Sequence, residues 1–236
     1  KMVTGLSLEL VLAAALVDSI NPCVFGALIF LLAYMTTVFK SKTRMLLAGL
    51  VYVAAVYLTY FLLGVGIFTF LRETGFGKTF YWVAAIIAIL AGLVEIKDYF
   101  WYGKGFSLQM IPGASERLKH YSSYLKTTEK KHPIASLALA AFLGMFVVFI
   151  ELPCTGAPYL AILGLISQGQ LSEGIPWLLL YNLVFILPLL LIIGLVYVGK
   201  TSKQLEGWRK DNRGLMRLGI GLFLLALGAY MIWAVI

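Results

Sequence analysis

The chain has 236 residues, of which 61% are hydrophobic and only 13% are charged, and its formal net charge at pH 7 is +8. Soluble domains carry roughly 25% charged residues, so this composition excludes an ordinary soluble enzyme. It predicts an integral membrane protein, all-α in class, whose apolar surface faces the lipid bilayer.

Uninterrupted apolar runs predict six transmembrane helices, since about 20 apolar residues cross the ~30 Å hydrocarbon core. In chain order the predicted helices are 6–39, 45–71, 79–97, 134–167, 175–199 and 214–236. The first and fourth are longer than a bilayer requires, and each holds a proline near its middle, Pro22 and Pro153. Because proline removes a backbone hydrogen bond and clashes with the preceding turn, both helices are predicted to be broken there. Small residues such as Gly92 and Gly144 are predicted to let neighbouring helices approach closely.

The distribution of positive charge predicts the orientation of the chain. Of the 19 Lys and Arg residues, three lie at 40–44, seven at 97–131 and six at 200–217. The positive-inside rule places these three segments in the cytoplasm and both termini outside the cell. The membrane is predicted to be the plasma membrane. A basic collar at the membrane surface accounts for the net charge, so no nucleic-acid partner is predicted.

The sequence also contains an internal repeat. Ile-Asn-Pro-Cys at 20–23 and Glu-Leu-Pro-Cys at 151–154 each lie midway along an over-long helix that two plainer helices follow. With three helices in each copy, the second copy enters the membrane from the opposite side. This predicts two inverted three-helix repeats, residues 1–97 and 133–236, joined by a basic cytoplasmic loop, 98–132.

The two cysteines, Cys23 and Cys154, directly follow the two prolines. Buried cysteine is a common small hydrophobic residue, but two cysteines at repeat-related breaks favour a redox pair. Such a pair forms a disulfide when the Cα atoms come within about 7 Å. If the helix restarts at the first break, Asn21 fits the N-cap and Pro22 fits the first helical position. Cys23 then lies in the first turn, where the helix dipole favours the thiolate.

Several polar residues near the breaks are further candidates. At the second break, Thr155 and Pro158 are predicted to restart the helix a little after the cysteine. Asp18 lies one turn before the first proline, and Glu151 directly precedes the second break. A carboxyl group within the bilayer is a functional candidate, here as a proton relay for thiol chemistry; the alternative is a protonated or capped carboxyl group. Glu95, near the cytoplasmic end of the third helix, is assigned an interfacial position.

Two segments carry a family resemblance. Asn-Pro-Cys-Val at 21–24 and Pro-Cys-Thr-Gly-Ala-Pro at 153–158 resemble the signature segments of the CcdA/DsbD transmembrane electron-carrier family, in its short, CcdA-like form. The resemblance implies transfer of reducing equivalents from cytoplasmic thioredoxin to an extracytoplasmic thioredoxin-like protein, often for cytochrome c maturation. It implies that Cys23 and Cys154 are the redox pair. It also implies a helix-breaking framework of prolines: Pro22, Pro153 and Pro158. The family often has another proline three residues after the first cysteine, and here that place is Gly26.

The main alternative is a transporter that moves a small solute or a soft metal ion through the same inverted-repeat architecture. Paired thiolates bind soft metals, but two cysteines without His, Met or a third Cys at ligand spacing form a poor metal site. Thiol–disulfide exchange requires neither a metal nor an organic cofactor, and none is predicted. A purely structural membrane subunit is the third possibility.

Overall fold

The computed structural model describes residues 7–21, 23–26, 28–29, 32, 41–101, 133–166, 171–199 and 202–234, without the side chains of 133–135, 152–154, 171–173 and 202. All regular secondary structure in these ranges is helical. The helices are α1 (Leu8–Ser19), α2 (Lys42–Thr74), α3 (Gly77–Phe100), α4 (Pro133–Ile166), α5 (Leu171–Val198) and α6 (Ser202–Trp233). Three predictions lie largely or wholly outside the described residues: Pro22, the end of the first helix and the loop 98–132.

Four helical segments of the described chain are long and apolar enough to cross a membrane: Lys42–Thr74, Gly77–Phe100, Gly174–Val198 and Lys203–Trp233. The two parts of α4 pass the same test together as one bent span. Large apolar side chains on the outer faces, such as Leu62 and Leu191, stay exposed, as expected for residues in contact with lipid. A helical membrane protein is thereby confirmed, whereas the sixth span and the inverted repeat stay predictions.

The observed bounds of α2, α3, α4 and α5 agree with the predicted ones to within about one helical turn. The prediction for α6 was wrong at its start, because the helix begins at Ser202 and not at 214. Glu206 pairs with Arg209 (2.6 Å) and with Lys210 (3.5 Å) across one turn. Such pairs at i,i+3 and i,i+4 favour helix, so the basic segment is helical although it is not apolar.

Four of the described helices, α1, α2, α4 and α5, pack around a common interior. α1 packs on α4 and α5, and α2 packs on the same two helices, so these four helices enclose a common interior. α3 and α6 form the most extensive helix pair and lie beside this group, with α3 also touching α4. The two breaks predicted from the sequence lie in α4 and directly after α1, and the residues that flank them, Asn21, Glu151 and Thr155, are buried.

Small residues let the helices approach closely, as predicted for Gly92 and Gly144. A Cβ atom at Gly92 would lie 2.8 Å from the carbonyl oxygen of Gly221, and a Cβ atom at Gly221 would lie 2.9 Å from that of Gly92. The backbones of α3 and α6 are therefore in direct contact. At Gly144 the nearest atom would be the carbonyl oxygen of Tyr52, at 2.6 Å, which brings α2 against α4.

Candidate functional site

The first break separates α1 from a second helical segment. α1 ends at Ser19, and the N–H of Asn21 donates to the carbonyl oxygen of Asp18 (3.1 Å). Asn21 then begins the next helix, because its Oδ1 accepts the N–H of Cys23 (3.1 Å) and its carbonyl oxygen accepts the N–H of Phe25 (3.2 Å). These bonds are those of an N-cap. Cys23 accordingly lies in the first turn of a new helix, partly exposed.

The second break is a bend in α4. The segments Ser136–Glu151 and Thr155–Ile166 meet at an angle of 83°. Pro153 lies at the bend, as expected for a proline that disrupts the helical hydrogen bonds around it. The side chains of Pro153 and Cys154 lie outside the described residues, whereas Pro158 is buried in the second segment. The bend therefore coincides with the second Pro-Cys pair.

Aromatic side chains from α2, α4 and α5 form a buried cluster that contacts the second segment of α4. The ring of Tyr60 lies 5.5 Å from that of Tyr159 and 5.1 Å from that of Phe185, and the rings of Tyr159 and Tyr181 are 5.5 Å apart. The Tyr60 hydroxyl shares a hydrogen bond with Thr155 Oγ1 (2.5 Å), and the Tyr159 hydroxyl donates to the Tyr60 carbonyl oxygen (2.6 Å). The cluster thus connects the residue after Cys154 to α2 and α5.

Two buried carboxyl groups lie near Cys23. Asp18 is 1% exposed, and its Oδ2 accepts a hydrogen bond from the Tyr181 hydroxyl (2.8 Å). Glu151 is 2% exposed and is close enough to Cys23 and to Asp18 for their charges to interact. Neither Asp18 Oδ1 nor Glu151 Oε1 has a hydrogen-bond partner among the described residues. The structure thus brings Asp18, Cys23 and Glu151, from three helical segments, near one another, with the two carboxyl groups buried and Cys23 partly exposed.

The three tyrosines of the cluster, Tyr60, Tyr159 and Tyr181, were not among the residues singled out in the sequence. Their hydroxyls are polar groups within apolar runs, and a buried hydroxyl needs a hydrogen-bond partner. That requirement is the signal that marks them, although it does not reveal which helix supplies the partner.

A second buried polar cluster lies between α3 and α6 and contains Glu95, for which the sequence predicted an interfacial position and no further role. Glu95 is buried, and its Oε2 accepts a hydrogen bond from Arg217 Nη1 (3.1 Å). The same Nη1 donates to Asp98 Oδ2 (2.7 Å), and Lys97 Nζ lies 2.6 Å from Asp98 Oδ1. Buried charges require partners, and here α3 and α6 supply them to each other. This cluster fastens the two helices together.

Gly64 of α2 makes room for the tyrosine cluster, and its replacement by alanine is expected to destabilise the protein. The added Cβ would overlap the Tyr159 hydroxyl oxygen and would lie 3.2 Å from Leu178 Cδ2. Overpacking of this kind costs about 1–3 kcal/mol. The matched control is Gly66→Ala on the same helix, where a Cβ would meet nothing within 4 Å. Thermal unfolding in one detergent compares the two variants, and equal midpoints would contradict the assignment of Gly64.

Comparison with known proteins assigns the family. A family model described as the transmembrane region of cytochrome c biogenesis proteins matches residues 10–230. Neither a curated protein nor a solved structure matches the chain significantly. The matched range contains both Pro-Cys segments and most of every described helix, and it confirms the resemblance found in the sequence. This multi-pass membrane protein therefore belongs to the family of cytochrome c biogenesis protein transmembrane regions.

Proposed function

We propose that this protein carries reducing equivalents across the plasma membrane by thiol–disulfide exchange at Cys23 and Cys154. The observation that carries the proposal is the N-cap at the first break, which places Cys23 in the first turn of a helix beside Glu151. The helix dipole at such a position favours the thiolate. The thiolate is the form that attacks a disulfide. The family assignment supports a role in cytochrome c maturation.

The exchange proceeds in two balanced steps. A reduced cytoplasmic thioredoxin attacks the Cys23–Cys154 disulfide, and its second thiol then resolves the mixed disulfide. Thioredoxin leaves oxidised, and the membrane protein retains two thiols, so two electrons and two protons have moved. An oxidised thioredoxin-like protein outside the cell is reduced in the same way, which restores the Cys23–Cys154 disulfide. Thioredoxin, at about −270 mV, is a stronger reductant than typical extracytoplasmic thiol proteins, so transfer runs downhill.

In this proposal the basic segments face the cytoplasm, both termini lie outside, and six spans form two inverted repeats. A folded partner does not enter the bilayer, so the cysteine pair must become accessible first from one side and then from the other. Helices that are broken at their centres suit this movement, because the ends of the two halves can change direction. The 83° bend in α4 and the end of α1 at Ser19 support such a framework.

Transfer in sealed vesicles tests the proposal. The purified protein is reconstituted with thioredoxin, thioredoxin reductase and NADPH outside, and with an oxidised thioredoxin-like protein enclosed within. We expect the enclosed protein to be reduced only when the membrane protein is present. Equal reduction in protein-free vesicles, or none in either, would overturn the proposal.

In this proposal Asp18 and Glu151 exchange protons with the thiols, so we expect Asp18→Asn to slow transfer and change its pH profile. Asparagine keeps the shape of the side chain and can still accept the Tyr181 hydrogen bond, but it cannot bind or release a proton. General acid–base catalysis contributes about 10²- to 10⁴-fold, so a loss of at least about 10-fold is expected. The control is Asp211→Asn, which changes an exposed carboxyl group of α6. An unchanged pH profile in Asp18→Asn would remove Asp18 as a relay.

A further inference from the structure

The basic end of α6 touches the helical segment that begins at Cys23. A Cβ atom at Gly26 would lie 2.8 Å from Arg209 Nη1, 3.2 Å from its Cζ and 3.7 Å from its Nε. The guanidinium group therefore lies directly against the bare backbone of Gly26. A residue with a Cβ atom, proline included, would occupy the space that the guanidinium fills.

Gly26 and Cys23 lie on the same face of their helix, because residues three apart are neighbours on a helix surface. Their Cβ positions are separated by about 5–6 Å in regular helical geometry. A cation packed against Gly26 is consequently within about one helical turn of the Cys23 side chain. The glycine that replaces the family's frequent proline thus admits a positive charge beside the cysteine.

Arg209 is held in this position by its own helix. Its Nε donates to Glu206 Oε2 (2.9 Å) and its Nη2 donates to Glu206 Oε1 (2.6 Å), which is a two-point contact that fixes the plane of the guanidinium. Next to it, the rings of Phe25 and Trp208 lie 6.4 Å apart and pack the two helices together. The Arg209 side chain is only 18% exposed, so solvent screens its charge less than at the surface.

Charged groups of α1, α4 and α6 lie in the region of Cys23. Glu151 of α4 is close enough to Cys23 for their charges to interact, and Asp18 of α1 is close enough to Glu151 in the same way. α6 contributes Arg209, which lies against Gly26, and Glu206, which offsets part of the arginine's charge.

We propose that Arg209 is a positioning residue for the exchange reaction: held by Glu206 against Gly26, its guanidinium stabilises the thiolate of Cys23. A neighbouring cation increases the thiolate fraction of a cysteine at a given pH. The proton leaves to solvent, and no electrons move in this step. The inference rests on the proposed function for its purpose, but it concerns the ionisation of one thiol and is measured without any redox partner.

The test is the pH dependence of alkylation of Cys23 by monobromobimane, in a Cys154→Ser background and in detergent. In Arg209→Gln the profile is expected to move to higher pH, so that alkylation at neutral pH becomes about 3- to 10-fold slower. Arg209→Lys keeps the charge and is expected to retain part of the wild-type profile. Gly26→Ala keeps the arginine but displaces it, and the profile is expected to move in the same direction as in Arg209→Gln.

The matched control is Lys210→Gln. It removes one positive charge from the same helix and from a contact with the same Glu206, but the Lys210 side chain is 64% exposed. The alkylation profile of Lys210→Gln is expected to coincide with that of the Cys154→Ser parent. An unmoved profile in Arg209→Gln, or an equal movement in Lys210→Gln, would overturn the inference. If Arg209→Gln fails to fold, the pH profile of Gly26→Ala is used instead. A profile moved to higher pH supports the inference, and an unmoved profile overturns it.

The vesicle assay separates the failure of this inference from failure of the proposed function. Wild-type protein that transfers electrons, together with an unmoved profile in Arg209→Gln, would overturn the role of Arg209 alone. Wild-type protein that transfers none would overturn the proposed function, and a moved profile would still show that Arg209 acts on Cys23.

Discussion

Replacement of Cys23 or of Cys154 by serine is expected to reduce transfer in the vesicle assay to the level of protein-free membranes. A serine hydroxyl forms no disulfide, so neither variant can accept two electrons and pass them on. Serine is close to cysteine in size, so the backbone N–H of residue 23 still donates its hydrogen bond to Asn21 Oδ1 and the helix still begins there. Samples are quenched at timed intervals, and the oxidised and reduced forms of the enclosed thioredoxin-like protein are separated. The increase of the reduced form with time gives the rate of transfer.

The double variant Cys23→Ser/Cys154→Ser is the control for this prediction. Residues that act as one unit show non-additive effects, so the double variant should be no slower than either single variant. All three variants should elute and unfold as the wild type does, which separates loss of chemistry from loss of fold. Transfer that persists at half the wild-type rate in a single variant would show that the two cysteines do not act as a pair.

The largest loss of stability is expected for Arg217→Ala. Arg217 is 2% exposed and pairs with both Glu95 and Asp98, so its removal leaves two buried carboxylates without this partner. Breaking a buried ion pair by removal of one partner costs about 3–5 kcal/mol. We expect a lower midpoint of thermal unfolding in detergent and premature separation of α3 from α6. Lys210→Ala, which removes an exposed cation, should change the free energy of unfolding by about 0–1 kcal/mol.

A combined variant distinguishes the ion cluster from simple packing. Glu95→Gln, Asp98→Asn and Arg217→Met together remove the buried charges and keep the approximate volumes. Replacement of a complete buried charge cluster by uncharged residues is often neutral, so this variant should unfold at a higher temperature than Arg217→Ala. If it unfolds at a lower temperature, the charges contribute stability beyond mutual compensation, and the assumed cause of the Arg217→Ala loss is wrong.

Local features of the fold were predictable from the sequence. Apolar runs predicted the bounds of four helices to about one turn, because lipid solvation requires long uninterrupted stretches. The start of α6 was not predictable in this way, since turns stabilised by Glu206 and Arg209 need no apolar face. A helix start near Asn21 follows from local chemistry alone, because a side-chain acceptor two residues before an unsatisfied N–H defines a cap.

Contacts between distant helices were not predictable. Arg217 was counted with the basic residues of the membrane surface, yet it is buried against Glu95, which is 122 residues away in the chain. The hydroxyl of Tyr60 likewise meets Thr155 only because α2 packs against the bent α4. The rotation of each helix about its axis decides such pairs, and one sequence does not contain that rotation explicitly. The close contact of Arg209 with Gly26 has the same origin.

Thiol trapping with acid quench tests the central proposal most directly. The purified protein is incubated with and without reduced thioredoxin, quenched, and labelled with a maleimide that adds mass to each thiol. We predict an intramolecular Cys23–Cys154 disulfide that thioredoxin converts to two labelled thiols, and a stable mixed disulfide with thioredoxin in one single-cysteine variant. Two cysteines that are labelled equally with and without thioredoxin, and no mixed disulfide in either variant, would contradict electron transfer by this pair.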